Sequence, residues 1–244
     1  MSDLLEYSLR VTPGLVLLVA VWLLVRGPAL AARIAILVAG FILLRDAMTP
    51  LGFWSFGGSG AGLWVRFADD GALLLVLGAM SALIVLLLHR CAPGLRTLVR
   101  WGRVDVRSVG LGLAGAAVVV APFALAYRFV PIEERGGEVA LTLLPALLVF
   151  ALFGNFLEEV LFRGYLQGLL ARSHGPVRTV LASGTFFAAG HIFLASTVTA
   201  VGVPLLLFTL IEGLVCAEVA RRRGVIASTV THGVAIFALA SGLL

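Results

Sequence analysis

The sequence has no lysine and little charge of any kind. Its 18 basic and 13 acidic residues make up 13% of 244 positions, where soluble domains carry about 25%. With 61% hydrophobic residues and a mean hydropathy of +1.09, that scarcity excludes an ordinary soluble domain. Cysteine is nearly missing too. Cys91 sits in a basic loop and Cys216 in an apolar run, so no disulfide or redox motif is expected. The N-terminus lacks the basic region of a signal peptide: Asp3 and Glu6 oppose Arg10 alone, although Ala29-Leu30-Ala31 imitates a cleavage site. The roughly ten-residue apolar–polar alternation of a membrane β-strand is missing. So are internal repeats and low-complexity segments.

What is present is a series of long apolar runs. A spanning helix needs about 20 apolar residues, fewer where flanking residues snorkel. The chain therefore reads as an all-α, polytopic membrane protein of about eight transmembrane helices with an intramembrane cavity. The expected spans are 11–25, 29–44, 71–88, 108–127, 138–170, 177–194, 201–219 and 225–243. Gly27-Pro28 is expected to turn between the first two, which could instead merge into one bent helix. The Gly-rich stretch 45–70, with Trp54 and Trp64, is expected to be an interfacial loop. Pro145 is expected to kink the fifth helix early. Residues 1–137 carry no motif, and 138–244 form the region where the motifs lie.

The net charge of +5 and pI near 10.2 do not point to a nucleic-acid partner. The excess is arginine in short loops, twelve residues on one side of the expected bundle against five on the other. The positive-inside rule then places the arginine-rich side in the cytoplasm, and the Glu158 end of the fifth helix near it. Exclusive use of arginine hints at a GC-rich, bacterial genome, hence an inner or plasma membrane.

Charges inside a bilayer are costly and mark functional sites by default. Glu158-Glu159 ends the apolar run 139–157, and Arg163 follows Glu159 at i+4, the favourable order for a helical ion pair. The two carboxylates point about 100° apart on a helix. The economical reading gives Glu159 to Arg163 and leaves Glu158 to face the interior, with Asn155 on the same face. Phe187 and His191 share a face at i and i+4, and His232 follows on the last helix. One Glu and two His from three helices form a hydrolytic constellation: a carboxylate takes a proton from water, one imidazole shares that water or protonates the leaving amine, and the other donates to an oxyanion. Each also has a plainer explanation, as an interfacial ion pair or as polar glue between helices. Glu212 could line the cavity or hydrogen-bond a neighbouring helix. Glu218 with Arg221–Arg223 reads as a solvated helix end, and His89 and His174 have no partner at useful spacing.

Glu158-Glu159-x-x-x-Arg163-Gly164-Tyr165, then Phe187-x-x-x-His191, then His232, resembles the CAAX protease and bacteriocin-processing (CPBP) family of intramembrane endopeptidases, over about 138–243. The resemblance implies an eight-helix bundle with a cavity open to the membrane and cytosol. It implies Glu158 as the general base, His191 as its partner, Glu159 and Arg163 as the supporting pair, and His232 in the oxyanion hole. It implies a substrate that is a membrane-anchored protein or peptide. The family is now regarded as glutamic and was earlier classed as metal-dependent. No cofactor is therefore expected; zinc is the alternative, held by Glu158, His191 and His232, in the absence of a HExxH motif. The family's last motif, HxxxN or HxxxD, departs here: Ile236 stands four residues after His232. Asn155 and Thr231 are the candidate replacements for the lost donor. The departure leaves a catalytically impaired scaffold or immunity protein as the second reading. A proton-coupled transporter ranks below it, for want of inverted repeats.

Overall fold

The computed structural model describes residues 2–24, 30–59 and 62–244. Helices α1 (Ser2–Leu24) and α2 (Leu30–Asp46) are followed by an antiparallel hairpin of β1 (Trp54–Ser59) and β2 (Gly62–Phe67). Then come α3 (Gly71–Cys91), the single turn α4 (Pro93–Arg96), α5 (Val106–Ala126) and α6 (Leu144–Glu159). The last continues through a π-helical turn, Val160–Leu166, into α7 (Gln167–Leu170). The chain ends with α8 (Pro176–Ala189), a second π turn (Leu194–Val198), α9 (Val203–Arg223) and α10 (Val225–Ala240). Seven helical segments among the described residues are long and apolar enough to cross a membrane, and α10 is apolar but shorter. The protein is an all-α polytopic membrane protein. The expected turn at Gly27-Pro28 lies outside the described residues.

Two expectations are corrected. Stretch 45–70 is not irregular: it holds the hairpin, with Trp54 paired to Phe67 and Phe56 to Val65. Its residues alternate, Trp54 and Phe56 on one strand, Leu63, Val65 and Phe67 on the other, which is the period of a strand with one covered face. Gly57 is required there because a Cβ would strike the Trp64 indole. Pro145 does not kink its helix. It occupies the first turn of α6, where its missing N–H has no helical acceptor to lose.

Contacts define two ends of the bundle. At one end, Val225 and Ile226 donate backbone N–H bonds to the carbonyls of Arg100 (2.9 Å) and Trp101 (3.0 Å). Arg172 reaches Thr97 Oγ1 at 3.5 Å, and Asp105 caps α5 by accepting from the Ser108 N–H at 2.7 Å. That bond holds the Asp105 carboxyl below its usual pKa. At the other end, Asp70 caps α3 through the N–H groups of Ala72 (2.9 Å) and Leu73 (3.0 Å). There Arg66 of β2 donates to Gly137 O (3.1 Å) and Leu239 O (3.0 Å), and Tyr127 donates to Leu63 O. The hairpin is thus tied to the segment after α5 and to the end of α10. The helices between the ends pack as α3 on α6, α5 on α10 and α8 on α9. The last contact is close: a Cβ on Gly213 would lie 3.0 Å from Gly184 O, consistent with small residues at membrane helix interfaces.

Candidate active site

Glu158 and Glu159 occupy the last positions of α6, directly before the π turn. Both are buried, at 4% and 0% exposure, yet their surroundings differ. Glu159 is fully engaged. Arg163 Nη1 lies 3.1 Å from its Oε1, His232 Nδ1 lies 2.9 Å from the same oxygen, and Ser228 donates its hydroxyl to Oε2. Glu158 faces the cavity instead, and its Oε1 has no hydrogen-bond partner within the protein. Its neighbours stand just beyond bonding range: His191 Nε2 at 3.6 Å, Arg45 Nη1 at 3.7 Å and His232 Nε2 at 3.9 Å. Polar groups at such separations are commonly bridged by water.

The imidazoles are oriented by their second nitrogens. His191 Nδ1 sits 2.8 Å from the Phe187 carbonyl, an acceptor only. Nδ1 must therefore carry the proton, and a neutral ring presents its lone pair at Nε2, towards Glu158. His232 is held through Nδ1 by Glu159, so it presents Nε2 to Glu158 and to Glu212 Oε2 at 3.5 Å. Phe187 anchors the group. Its ring stacks tilted on His191 at 4.7 Å, meets His232 edge-on at 5.6 Å, and carries the Arg163 guanidinium over its face at 4.0 Å.

The structure thus brings together Glu158, Glu159, Arg163, His191 and His232, and adds Glu212. His89 and His174 stay apart: His89 meets Trp101, and His174 bonds Ser173 and the Leu170 carbonyl. Glu218 pairs with Arg221 and Arg222 at 2.6 Å. Two carboxylates 100° apart do share one group, because His232 has a nitrogen for each. The candidate replacement donors are committed elsewhere. The Asn155 amide donates to Ala151 O at 2.7 Å and the Thr231 hydroxyl to Gly112 O at 3.0 Å. Ile236 lines the cavity and offers no donor.

Sequence reasoning missed Arg45. At the end of α2 it is 6% exposed, with Nε donating to Asp46 (2.7 Å) and Nη2 to Gly190 O (2.8 Å). Its Nη1 has no hydrogen-bond partner and lies on the Glu158 side. The available signal was an Arg-Asp pair at the end of an apolar run.

The cavity holds about 150 Å³ of water-accessible space. Its walls come from α2, α3, α6, α9, α10 and the hairpin residues Trp54, Phe56, Val65 and Phe67. A separate buried apolar cluster includes Val160, Leu161, Phe162, Tyr165 and Val225 with Leu95 and Leu98.

The metal-ligand test is unfavourable. Among the described residues, one group of ligand-type atoms lies mutually within 4.8 Å: Glu159, Cys216 and His232. A dication there would share Glu159 with the Arg163 guanidinium, which already neutralises it. Glu158, in the trio Glu158–His191–His232, likewise has the Arg45 guanidinium beside it.

A family model described as type II CAAX prenyl endopeptidase, Rce1-like, matches residues 140–238. The match supports a CPBP-type intramembrane protease core over these residues, which make up under half of the chain. Glu158, Glu159, Arg163, Phe187, His191 and His232 all fall inside the match. Neither the curated proteins nor the solved structures contain a match to the chain.

Proposed function

We propose that the protein is an intramembrane glutamic endopeptidase acting on a membrane-associated protein or peptide, without a metal. One observation carries this reading: a buried carboxylate oxygen, Glu158 Oε1, that nothing in the protein bonds, set in a cavity beside the Nε2 lone pair of His191. Glu159 is satisfied by three groups and Glu158 by none at bonding distance, which separates a supporting acid from a working one. The family match supports the reaction class.

In this mechanism a water molecule donates one hydrogen bond to Glu158 and one to His191 Nε2. Its oxygen attacks the peptide carbonyl carbon, and its proton passes to Glu158. The tetrahedral intermediate collapses by breaking the C–N bond, and Glu158 returns the proton to the leaving amine. Glu159 holds the Arg163 and His232 side chains. His191→Ala is expected to reduce cleavage by about 10²–10⁴-fold, the usual contribution of a positioned proton-handling group. The assay is hydrolysis of internally quenched apolar peptides, with and without a farnesylated C-terminal cysteine, by purified protein in detergent. Cleavage by His191→Ala at the wild-type rate would refute this arrangement.

The oxyanion needs a donor that Ile236 does not supply. Arg45 Nη1 is charged, rigidly held through Asp46 and Gly190, and free to donate into the cavity. We assign it that role. Preorganised donors act in the transition state and not in the ground state. Arg45→Gln is therefore expected to lower kcat by about 10²–10³-fold with KM changed by less than about threefold. A loss confined to KM, or a kcat within about threefold of wild type, would show that Arg45 is not the donor.

A further inference from the structure

We infer that Glu212 is the counter-ion of His232: it holds a second proton on the ring and so makes Nε2–H an oxyanion donor, beside Arg45. The part concerning the oxyanion rests on the endopeptidase reading; the part concerning the proton does not. Glu212 acts through the imidazole, which makes it a positioning residue.

The sequence sets an acid in the middle of an apolar helix, and packing decides where it points. Gly213, the next residue, lets α9 approach α8: a Cβ there would lie 3.0 Å from Gly184 O and 3.0 Å from the Phe187 ring. His232 rests edge-on against that same ring. Glu212 is 1% exposed and lines the cavity, and its Oε1 has no hydrogen-bond partner. Its Oε2 lies 3.5 Å from His232 Nε2. The two buried guanidiniums of the site are matched to other acids, Arg163 to Glu159 at 3.1 Å and Arg45 to Asp46 at 2.7 Å. A carboxylate is costly to bury without a cation. Among the described residues, His232 is the group that pairs with Glu212.

The surroundings of the ring place the protons. Nδ1 faces Glu159, which Arg163 holds as a carboxylate, so Nδ1 carries a proton. A neutral ring would then present a bare lone pair at Nε2 and could donate nothing into the cavity. Three carboxyl groups surround the imidazole: Glu159 at 2.9 Å, Glu212 at 3.5 Å and Glu158 at 3.9 Å. Opposite charge at such range favours the charged ring. A proton on Nε2 answers two carboxylates, Glu212 and Glu158, where on Glu212 it would answer one. Separations of 3.5 and 3.9 Å are also too long for good hydrogen bonds. The charges attract across them, while the N–H stays free for a third oxygen in the cavity. The oxygen of a tetrahedral intermediate is such an acceptor. Glu212 thereby arms His232 as a donor in a cavity where Ile236 offers none.

Nitrogen NMR of histidine-labelled protein in detergent, near neutral pH, tests the inference together with kinetics. The chain has four histidines, and His232→Asn identifies the His232 signals by their loss. Both ring nitrogens of His232 are expected to be protonated in the wild type. In Glu212→Gln, which keeps the volume and removes the charge, Nε2 is expected to be bare. Glu212→Asp keeps the charge, and with it the doubly protonated ring. On the quenched apolar peptides, Glu212→Gln is expected to lower kcat by about 10²-fold with KM changed by less than about threefold, and Glu212→Asp to retain more of the rate. A bare Nε2 in the wild type, or a doubly protonated ring in Glu212→Gln, would overturn the counter-ion. A loss confined to KM, or a Glu212→Gln kcat within about threefold of wild type, would overturn the oxyanion role. Should Glu212→Gln fail to fold, the wild-type and Glu212→Asp spectra decide the proton. An inactive wild type with the expected spectra would refute the endopeptidase reading and leave the Glu212–His232 pair standing.

Discussion

Glu158→Gln is expected to reduce peptide hydrolysis by about 10³-fold or more while the protein remains folded in detergent. The amide keeps the volume and hydrogen-bonding shape of the carboxylate but cannot take the proton of water, and removal of a general base typically costs 10²–10⁴-fold. Stability should change little, because no protein group hydrogen-bonds the Glu158 oxygen that faces the cavity. Glu158→Asp provides the sharper control. It keeps the acid but draws its oxygens back by about a methylene, and displacements near 1 Å from attack geometry can cost about 10²-fold. Hydrolysis rates of the two variants, with gel filtration and thermal melting alongside, separate chemistry from folding. A fully active Glu158→Gln would remove Glu158 from the mechanism.

Arg163→Met is expected to fail in the opposite way, by destabilising the bundle. Arg163 and Glu159 both have 0% side-chain exposure and pair at 3.1 Å. Arg163 also donates to Gly213 O at 3.2 Å, which couples the π turn to α9. Removing one partner of a buried pair leaves an uncompensated charge and costs about 3–5 kcal/mol. The double variant Glu159→Gln with Arg163→Met removes both charges and should recover part of that loss. Melting of the purified variants in detergent measures both effects. An Arg163→Met protein as stable as wild type would show that the pair does not hold the core together.

Much of this was legible in the sequence because bilayers impose strict terms. Apolar runs fixed the spans, and each intramembrane ion stood out against them. The spacing of Glu159 and Arg163 announced their ion pair, and Phe187 and His191 announced a shared face. Three things were not legible. The hairpin was hidden because six-residue strands rich in glycine and tryptophan look like an interfacial loop until their alternation is covered on one side. The kink at Pro145 was misjudged because a helix start six residues later than expected turns a breaker into a favourable first-turn residue. Arg45 was assigned to a loop because it is distant from the motifs in sequence; only the packing of α2 against the π turn and the Gly190–His191 corner brings its guanidinium beside Glu158. That residue also bears on Ile236, whose apolar side chain would otherwise leave the cavity one donor short.

The most direct test of the central claim is the hydrolysis rate of purified wild-type protein on the quenched apolar peptides after dialysis against a strong chelator. The guanidinium beside each carboxylate predicts cleavage at the undialysed rate, with no gain when zinc is added back. A rate that falls to background in chelator and returns with stoichiometric zinc would contradict the account and make Glu158, His191 and His232 ligands.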